Sequence, residues 1–252
     1  MAKRKSRGGQ KRGSKKDNRP IQDIVKTQIM LRFTLDSLIL EDIEALTIDV
    51  IDACANISPV ALIELPDEYI ETQIQAAATL AMRLRNQGMA VVIDEKYCEN
   101  FPYFDGVNLL DFALHPPQNE DEEAPRASKV PEIEELQEHL SEEEYFGFGP
   151  TESLEKALVA SEMGAAYIWL NDDSEDYAMV HWWSEMVEVP SVVQFKNEEE
   201  LKNIAMAGAD FALFSIENIK KEFSAEAINH FDTLCQEIYA IRSAPQPTES
   251  SD

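Results

Sequence analysis

The stretch from Gly88 to Asp111, GMAVVIDEKYCENFPYFDGVNLLD, limits what this chain can fold into more than any other. It holds two short apolar runs, Met89–Ile93 and Val107–Leu110, and each is followed at once by a carboxylate, Asp94 and Asp111. Runs of this length and β-branched character, with no alternation of polar and apolar positions, read as strands covered on both faces, as in a parallel sheet. A polar residue at the C-terminal end of such a strand falls where α/β barrels place their sites.

The same unit recurs along the chain. Ile29–Leu35 reads as a first strand ending at Asp36, and Glu41–Ala55 places Ile43, Leu46, Val50, Ile51 and Cys54 at helical spacing. Pro59–Leu65 is a second buried strand, followed by a helix over Asp67–Gln87 that Gly88 closes. Strands three and four are the two runs above. Residues 115–144 break the pattern with Pro116, Pro117, Pro125 and Pro131 and eleven acidic residues from Glu120 to Glu144. That segment reads as a loop leading into a short acidic helix near Ile133–Leu140, either a solvated excursion or a lid over a site. Strand five is expected at Tyr145–Gly149, six at Ala166–Leu170, seven at Ser191–Phe195 and eight at Asp210–Phe214. Helices are expected over Ser153–Glu162 (capped by Gly164), Tyr177–Val187, Glu198–Ala207 (ending at Gly208) and Ser224–Ile241.

About eight strands thus alternate with helices, and parallel strands joined in this way cross over right-handed. Eight such units within 252 residues close into a (β/α)8 TIM barrel over residues 29–242; a doubly wound open sheet is the alternative. Residues 1–28 are expected to be a disordered basic tail, and residues 243–252 a frayed polar end.

The charge is split along the chain. Residues 1–19 carry nine Lys/Arg and one Asp, whereas the remainder carries 47 of the 48 acidic residues and 13 basic ones. An acidic body of this kind repels nucleic acid and anionic membrane. The tail can be read as an arm for an acidic partner or nucleic acid, or as a solvated segment lying on the acidic body; it has no aromatic residue for base stacking. Cys54, Cys98 and Cys235 are far apart, odd in number and without a CxxC spacing, as expected of reduced thiols in a cytoplasmic protein. No apolar run approaches a membrane span, and the N-terminus lacks the apolar stretch of a secretory signal.

Six acids fall at expected C-terminal strand ends: Asp36, Glu64, Asp94, Asp111, Asp172 and Asp173. Such oxygen ligands suit Mg2+ or Ca2+, or they are solvated loop acids in a chain acidic everywhere. The histidines (His115, His139, His181, His230) show no ligand spacing, and no Ser-His-Asp or Cys-His nucleophile pattern is present. Trp169, Trp182 and Trp183 are expected to pack in the core.

Several segments carry a likeness. Phe104-Asp105-Gly106-Val107-Asn108-Leu109, Gly149 through Ile168, and Gly208-Ala209-Asp210-Phe211-Ala212 resemble the A-D-G-V-H-L, G-x-S…G-A-D-Y-I and G-A-D-G-V-A segments of the thiamine phosphate synthase/TenI-like family of TIM barrels. The likeness spans residues 29–242. It implies a transferase of thiamine biosynthesis that joins a pyrimidine diphosphate to a thiazole phosphate, with Mg2+ and cationic groups stabilising the departing diphosphate. Carried over, it implies Asp94, and by a one-residue shift Asp111, as Mg2+ ligands. It also implies substrate contacts at Asn108, Lys196 and Ser215.

The chain departs from that family's pattern at several positions. The Gln-x-Arg-x-Lys run of strand two is here Ala61-Leu62-Ile63-Glu64-Leu65, and the serine closing strand five is Gly149. The loop after strand six is the acidic Asn171–Glu175, and the glycine pair after strand seven is Gln194-Phe195. On the sequence, then, carboxylates stand where diphosphate would sit, without compensating Arg or Lys. Three readings follow: a synthase-type transferase acting on small phosphorylated molecules, a non-catalytic family member that binds a partner, or a different metal-assisted activity on a cationic or neutral small molecule.

Overall fold

The computed structural model describes residues 26–35, 58–66, 71–96, 103–114, 130–174, 176–216 and 225–244, with single positions at 52, 55 and 56. Expectations for the basic tail, Asp36, the helix over 41–55, most of the acidic loop, Cys54, Cys98 and His115 lie outside these residues.

Eight parallel strands close on themselves, each bonded to its sequence neighbours, with the last pairing the first. They are β1 (Gln28–Thr34), β2 (Val60–Glu64), β3 (Ala90–Asp94), β4 (Gly106–Leu109), β5 (Tyr145–Thr151), β6 (Ile168–Leu170), β7 (Ser191–Phe195) and β8 (Phe211–Ile216). The described helices are α1 (Glu71–Asn86), α2 (Pro131–His139), α3 (Leu154–Glu162), α4 (Ala178–Met186), α5 (Glu198–Ala207) and α6 (Ala225–Arg242). The chain is therefore a (β/α)8 barrel, and the open-sheet alternative is excluded by the β1–β8 pairing, Gln28 to Phe33 against Phe211 to Ile216.

Closure divides every strand into two faces with a period of two. Outward residues such as Leu31, Phe33, Ile63, Val91, Ile93, Val107, Phe148 and Phe195 belong to one apolar cluster with the helices. Helix α1 meets this layer with Ala76, Ala77, Leu80, Ala81 and Leu84, its small residues allowing close approach. Inward residues form a second, separate cluster of Met30, Leu62, Val92, Tyr167, Trp169, Val192 and Leu213. The interior is a packed core, as in other barrels of this size.

Two glycines make room for that core. A Cβ on Gly147 would lie 2.0 Å from the Tyr167 ring, and one on Gly106 would lie 2.6 Å from the Tyr145 ring. Each absent side chain thus admits an aromatic ring from the adjacent strand. At the N-terminal end of the barrel, Asp105 accepts from the backbone N–H of Val91 at 2.8 Å, and Asp210 accepts from that of Ser191 at 2.8 Å. Each carboxylate ties the start of one strand to its neighbour.

We expect Gly147→Ala to destabilise the barrel by about 1–3 kcal/mol, because the added Cβ would overlap the buried Tyr167 ring. Urea unfolding of Gly147→Ala and of Gly147→Ala/Tyr167→Val checks this: the double variant recovers part of the loss if the ring is the obstacle.

Candidate functional site

Near its C-terminal end, most strands turn one polar side chain inward. Arg32 of β1, Glu64 of β2, Asp94 of β3, Asn108 of β4, Gln194 of β7 and Ser215 of β8 each interrupt an otherwise apolar run at an inward position. Together with Trp169 of β6 they form the polar layer above the apolar interior.

Arg32 is its hub. Its Nη2 donates to Glu64 Oε2 at 2.5 Å and its Nη1 to Ser215 Oγ at 3.3 Å. The guanidinium carbon lies 5.2 Å from the centroid of the Trp169 ring, a cation–π arrangement. Ser215 Oγ also accepts from Gln194 Nε2 at 3.1 Å. Beside this network, Asn108 donates to the Gly149 carbonyl at 2.7 Å and accepts from the Tyr167 hydroxyl at 2.9 Å. A Cβ at position 149 would meet the Trp169 carbonyl oxygen at 2.3 Å, so the serine expected from the resemblance has no room there.

A cavity of about 500 Å3 lies at the C-terminal mouth, lined by Arg32, Thr34, Glu64, Leu65, Pro66, Asp94, Lys96, Leu110, Pro150 and Trp169. Its size is that of a small-molecule site. Asp94 is 4% exposed, and its Oδ1 is buried without a hydrogen-bond partner among the described residues. Burial first, and the neighbouring Glu64 second, push its carboxyl up to about 7, against the pull of Lys96 and Arg32. Burial pushes the Tyr167 hydroxyl well above the usual tyrosine range, so it serves Asn108 as a neutral donor.

A second cavity, of about 380 Å3, lies beside the first, lined by Glu95, Phe104, Leu109, Asp111, Glu132, Leu136 and His139 among others. Asp111 faces this side. It pairs with Lys156 Nζ at 2.5 Å, and that hydrogen bond holds its carboxyl below the usual carboxylate range. Burial, followed by the charge of Asp111, pushes the Glu95 carboxyl up to about 7.

The residues singled out in the sequence therefore separate. Asn108 and Ser215 are inward, but the amide of Asn108 is engaged on both sides within the barrel. Lys196 is exposed, and its backbone N–H donates to Glu200 Oε2 at 2.8 Å. Asp94 and Asp111 line different cavities. Among the described residues no group of three or more His, Cys, Asp or Glu side chains is placed to hold one metal ion. Mg2+ needs only one or two carboxylates beside its waters, but Asp94 and Asp111 face different cavities and Asp111 is paired with Lys156, so these two do not converge on one ion. Asp172, read as a rim acid, caps α4 by accepting from the backbone N–H groups of Met179 and Val180. Trp183 packs in the core as expected and Trp182 is 38% exposed, while Trp169 is buried yet lines the mouth.

Arg32 and Lys96 correct the expectation that the mouth holds no Arg or Lys. Arg32 stood in plain view within IMLRFTL as the sole charge of a buried strand. An inward register for β1 would have marked it.

The chain is thus a (β/α)8 barrel with a cavity of about 500 Å3 at its C-terminal face. Comparison with solved structures agrees at the level of fold. The chain superposes on thiamine phosphate pyrophosphorylase from Pyrococcus furiosus with a TM-score of 0.59 at 17% identity, covering 84% of this chain and 98% of that one. It superposes on orotidine 5'-monophosphate decarboxylase from Sulfolobus solfataricus with a TM-score of 0.57 at 9% identity, covering 84% and 99%. The Amycolatopsis orientalis BexX/CysO complex gives a TM-score of 0.56 at 15% identity, covering 87% and 93%. No family model and no curated protein sequence matches the chain. Among the described residues no helix is long and apolar enough to cross a membrane.

The raised Asp94 carboxyl sets a pH dependence. Its folded value of about 7 exceeds its ordinary value of 3.8, so its contribution is complete below about pH 4 and is lost as pH rises toward 7. Asp94→Asn is accordingly expected to stabilise the protein at pH 8 by roughly 2–4 kcal/mol relative to wild type, with the gain shrinking toward pH 5. Urea unfolding of both proteins at the two pH values reads this directly. An equal difference at both values would show that burial does not hold the proton on.

Proposed function

We propose that this chain is a thiamine phosphate synthase-like barrel whose mouth binds a small polar molecule and does not carry out diphosphate transfer. The observation that carries the reading is the convergence of Arg32, Glu64, Asp94 and Trp169 on one cavity of about 500 Å3, with Ser215 and Gln194 hydrogen-bonded in series behind Arg32. Unrelated inward positions on separate strands have no packing reason to be polar together; a ligand gives them one.

Two features weigh against a diphosphate as that ligand. The guanidinium of Arg32 is paired with Glu64 at 2.5 Å, so its charge is largely neutralised inside the site. The N-terminus of α5, just past β7 where barrels often hold phosphate, carries Glu198, Glu199 and Glu200 in its first turn. There Asn197 Oδ1 accepts from the backbone N–H of Glu200, and the Glu200 carboxylate accepts from the backbone N–H of Lys196. The chain's own side chains thus take up backbone N–H groups that a phosphate at this helix start would use.

The second reading is the transfer itself, and Arg32 and Lys96 at the mouth favour it, since a departing diphosphate needs positive charge. The two separate cleanly. Full-length protein with Mg2+, the pyrimidine diphosphate and the thiazole phosphate is expected to release no pyrophosphate and to give no calorimetric heat with either precursor. Pyrophosphate release that disappears in Asp94→Ala would establish the transferase and overturn our reading.

A further inference from the structure

We infer that the barrel mouth takes a small organic monocation, an amine or protonated nitrogen base with an apolar body, whose N–H is received by the Asp94 carboxyl. This inference rests on the small-molecule reading of the mouth and names its ligand class.

The starting point is the unpartnered acceptor. Asp94 is 4% exposed, lines the cavity, and leaves Oδ1 without a hydrogen-bond partner among the described residues. A buried acceptor in that condition is unfavourable until a donor meets it. The guanidinium next door does not supply that donor. Its Nη2 is directed to Glu64 at 2.5 Å, its Nη1 to Ser215 at 3.3 Å and its face to the Trp169 ring, and its own buried Nε is left without a partner among the described residues.

The charged residues lining the mouth are evenly matched, Arg32 and Lys96 against Glu64 and Asp94, and Glu95 of the second cavity adds a further carboxyl beside Lys96. A cation seated at Asp94 therefore takes its binding from that one carboxyl and not from the net charge of the cavity. The walls define the remainder of the ligand. Leu65, Pro66, Leu110, Pro150 and Trp169 offer apolar surface around the polar floor, which suits a nitrogen base carrying a hydrocarbon or aromatic portion.

The test uses the full chain and two matched sets of probes: 2-phenylethylamine, 2-phenylethanol and phenylacetate, and butylamine, butanol and butyrate. Affinities are read by ligand-observed NMR titration at pH 7.5. Both amines are expected to saturate and to bind at least tenfold more tightly than the matched alcohol or carboxylate, a ranking that needs no variant. Asp94→Asn is expected to weaken amine binding at least tenfold, and Glu135→Gln, in the second cavity, to leave it unchanged. Amine binding that survives Asp94→Asn overturns the inference. So does an alcohol or carboxylate that binds as tightly as its amine. If such binding is weakened by Trp169→Leu, the small-molecule reading of the mouth stands without the cation class. Failure of all six probes to saturate overturns both.

Discussion

The ion pair between Arg32 and Glu64 governs the chemistry of this barrel's mouth. Two charged groups from adjacent strands meet at 2.5 Å with side chains only 24% and 12% exposed. A pair this enclosed adds little net stability, because desolvation offsets most of the attraction, but removing either partner strands the other. Its main effect is positional. The pair fixes the guanidinium against the Trp169 ring and Ser215, and so sets the shape and local charge of the cavity. It also leaves Asp94 with a like-charged neighbour, which adds to burial, the larger cause, in making that carboxyl hold its proton more tightly than an ordinary one.

The pair can sit there only because the layer beneath it is dry and full. Tyr145 and Tyr167 occupy space that Gly106 and Gly147 leave open, and the Tyr167 hydroxyl ends on Asn108, which in turn holds the Gly149 carbonyl. That chain of contacts runs from the apolar interior to the strand next to Asp94, since Asp94 and Asn108 are partners across β3 and β4. Position 108 thus supports the floor of the mouth through protein contacts on both sides of its amide. Packing and site chemistry are continuous here: glycine creates room, tyrosine fills it, and asparagine carries the order upward.

Much of this was legible in the sequence, and the part that was not has a physical reason. Strand seven and its helix lie where the apolar runs and caps put them, because Ser191–Phe195 is a buried run broken only at Gln194 and Asn197 and Gly208 bound the helix that follows. The acids at strand ends were visible too, yet their roles divided once the register was known. Glu64 and Asp94 are inward, while Asp111 leans out to Lys156 and Asp172 turns back to cap α4. Proximity to a strand end does not distinguish these outcomes; the parity of the position along the strand does. Arg32 was missed for the converse reason. A single cation inside a hydrophobic strand carries no sign of its partner, which lies 32 residues away on the next strand.

The same register explains why the resemblance to thiamine phosphate synthases speaks to the frame more than to the reaction. Asp105 and Asp210, prominent in two of the matching segments, sit at the N-terminal ends of their strands and bind backbone N–H groups of the neighbouring strands. Gly106 makes room for Tyr145, and Gly208 ends α5 with a left-handed backbone. These are demands of a closed eight-stranded barrel, and any chain meeting them inherits the motif whatever its mouth does. The positions that decide chemistry lie at the opposite end of the strands, and there this chain places a guanidinium paired with a carboxylate and a buried acid with one oxygen unpartnered among the described residues. The matching segments therefore report the rim that every closed barrel has to build, while Arg32, Glu64 and Asp94, at the opposite rim, lie outside those segments.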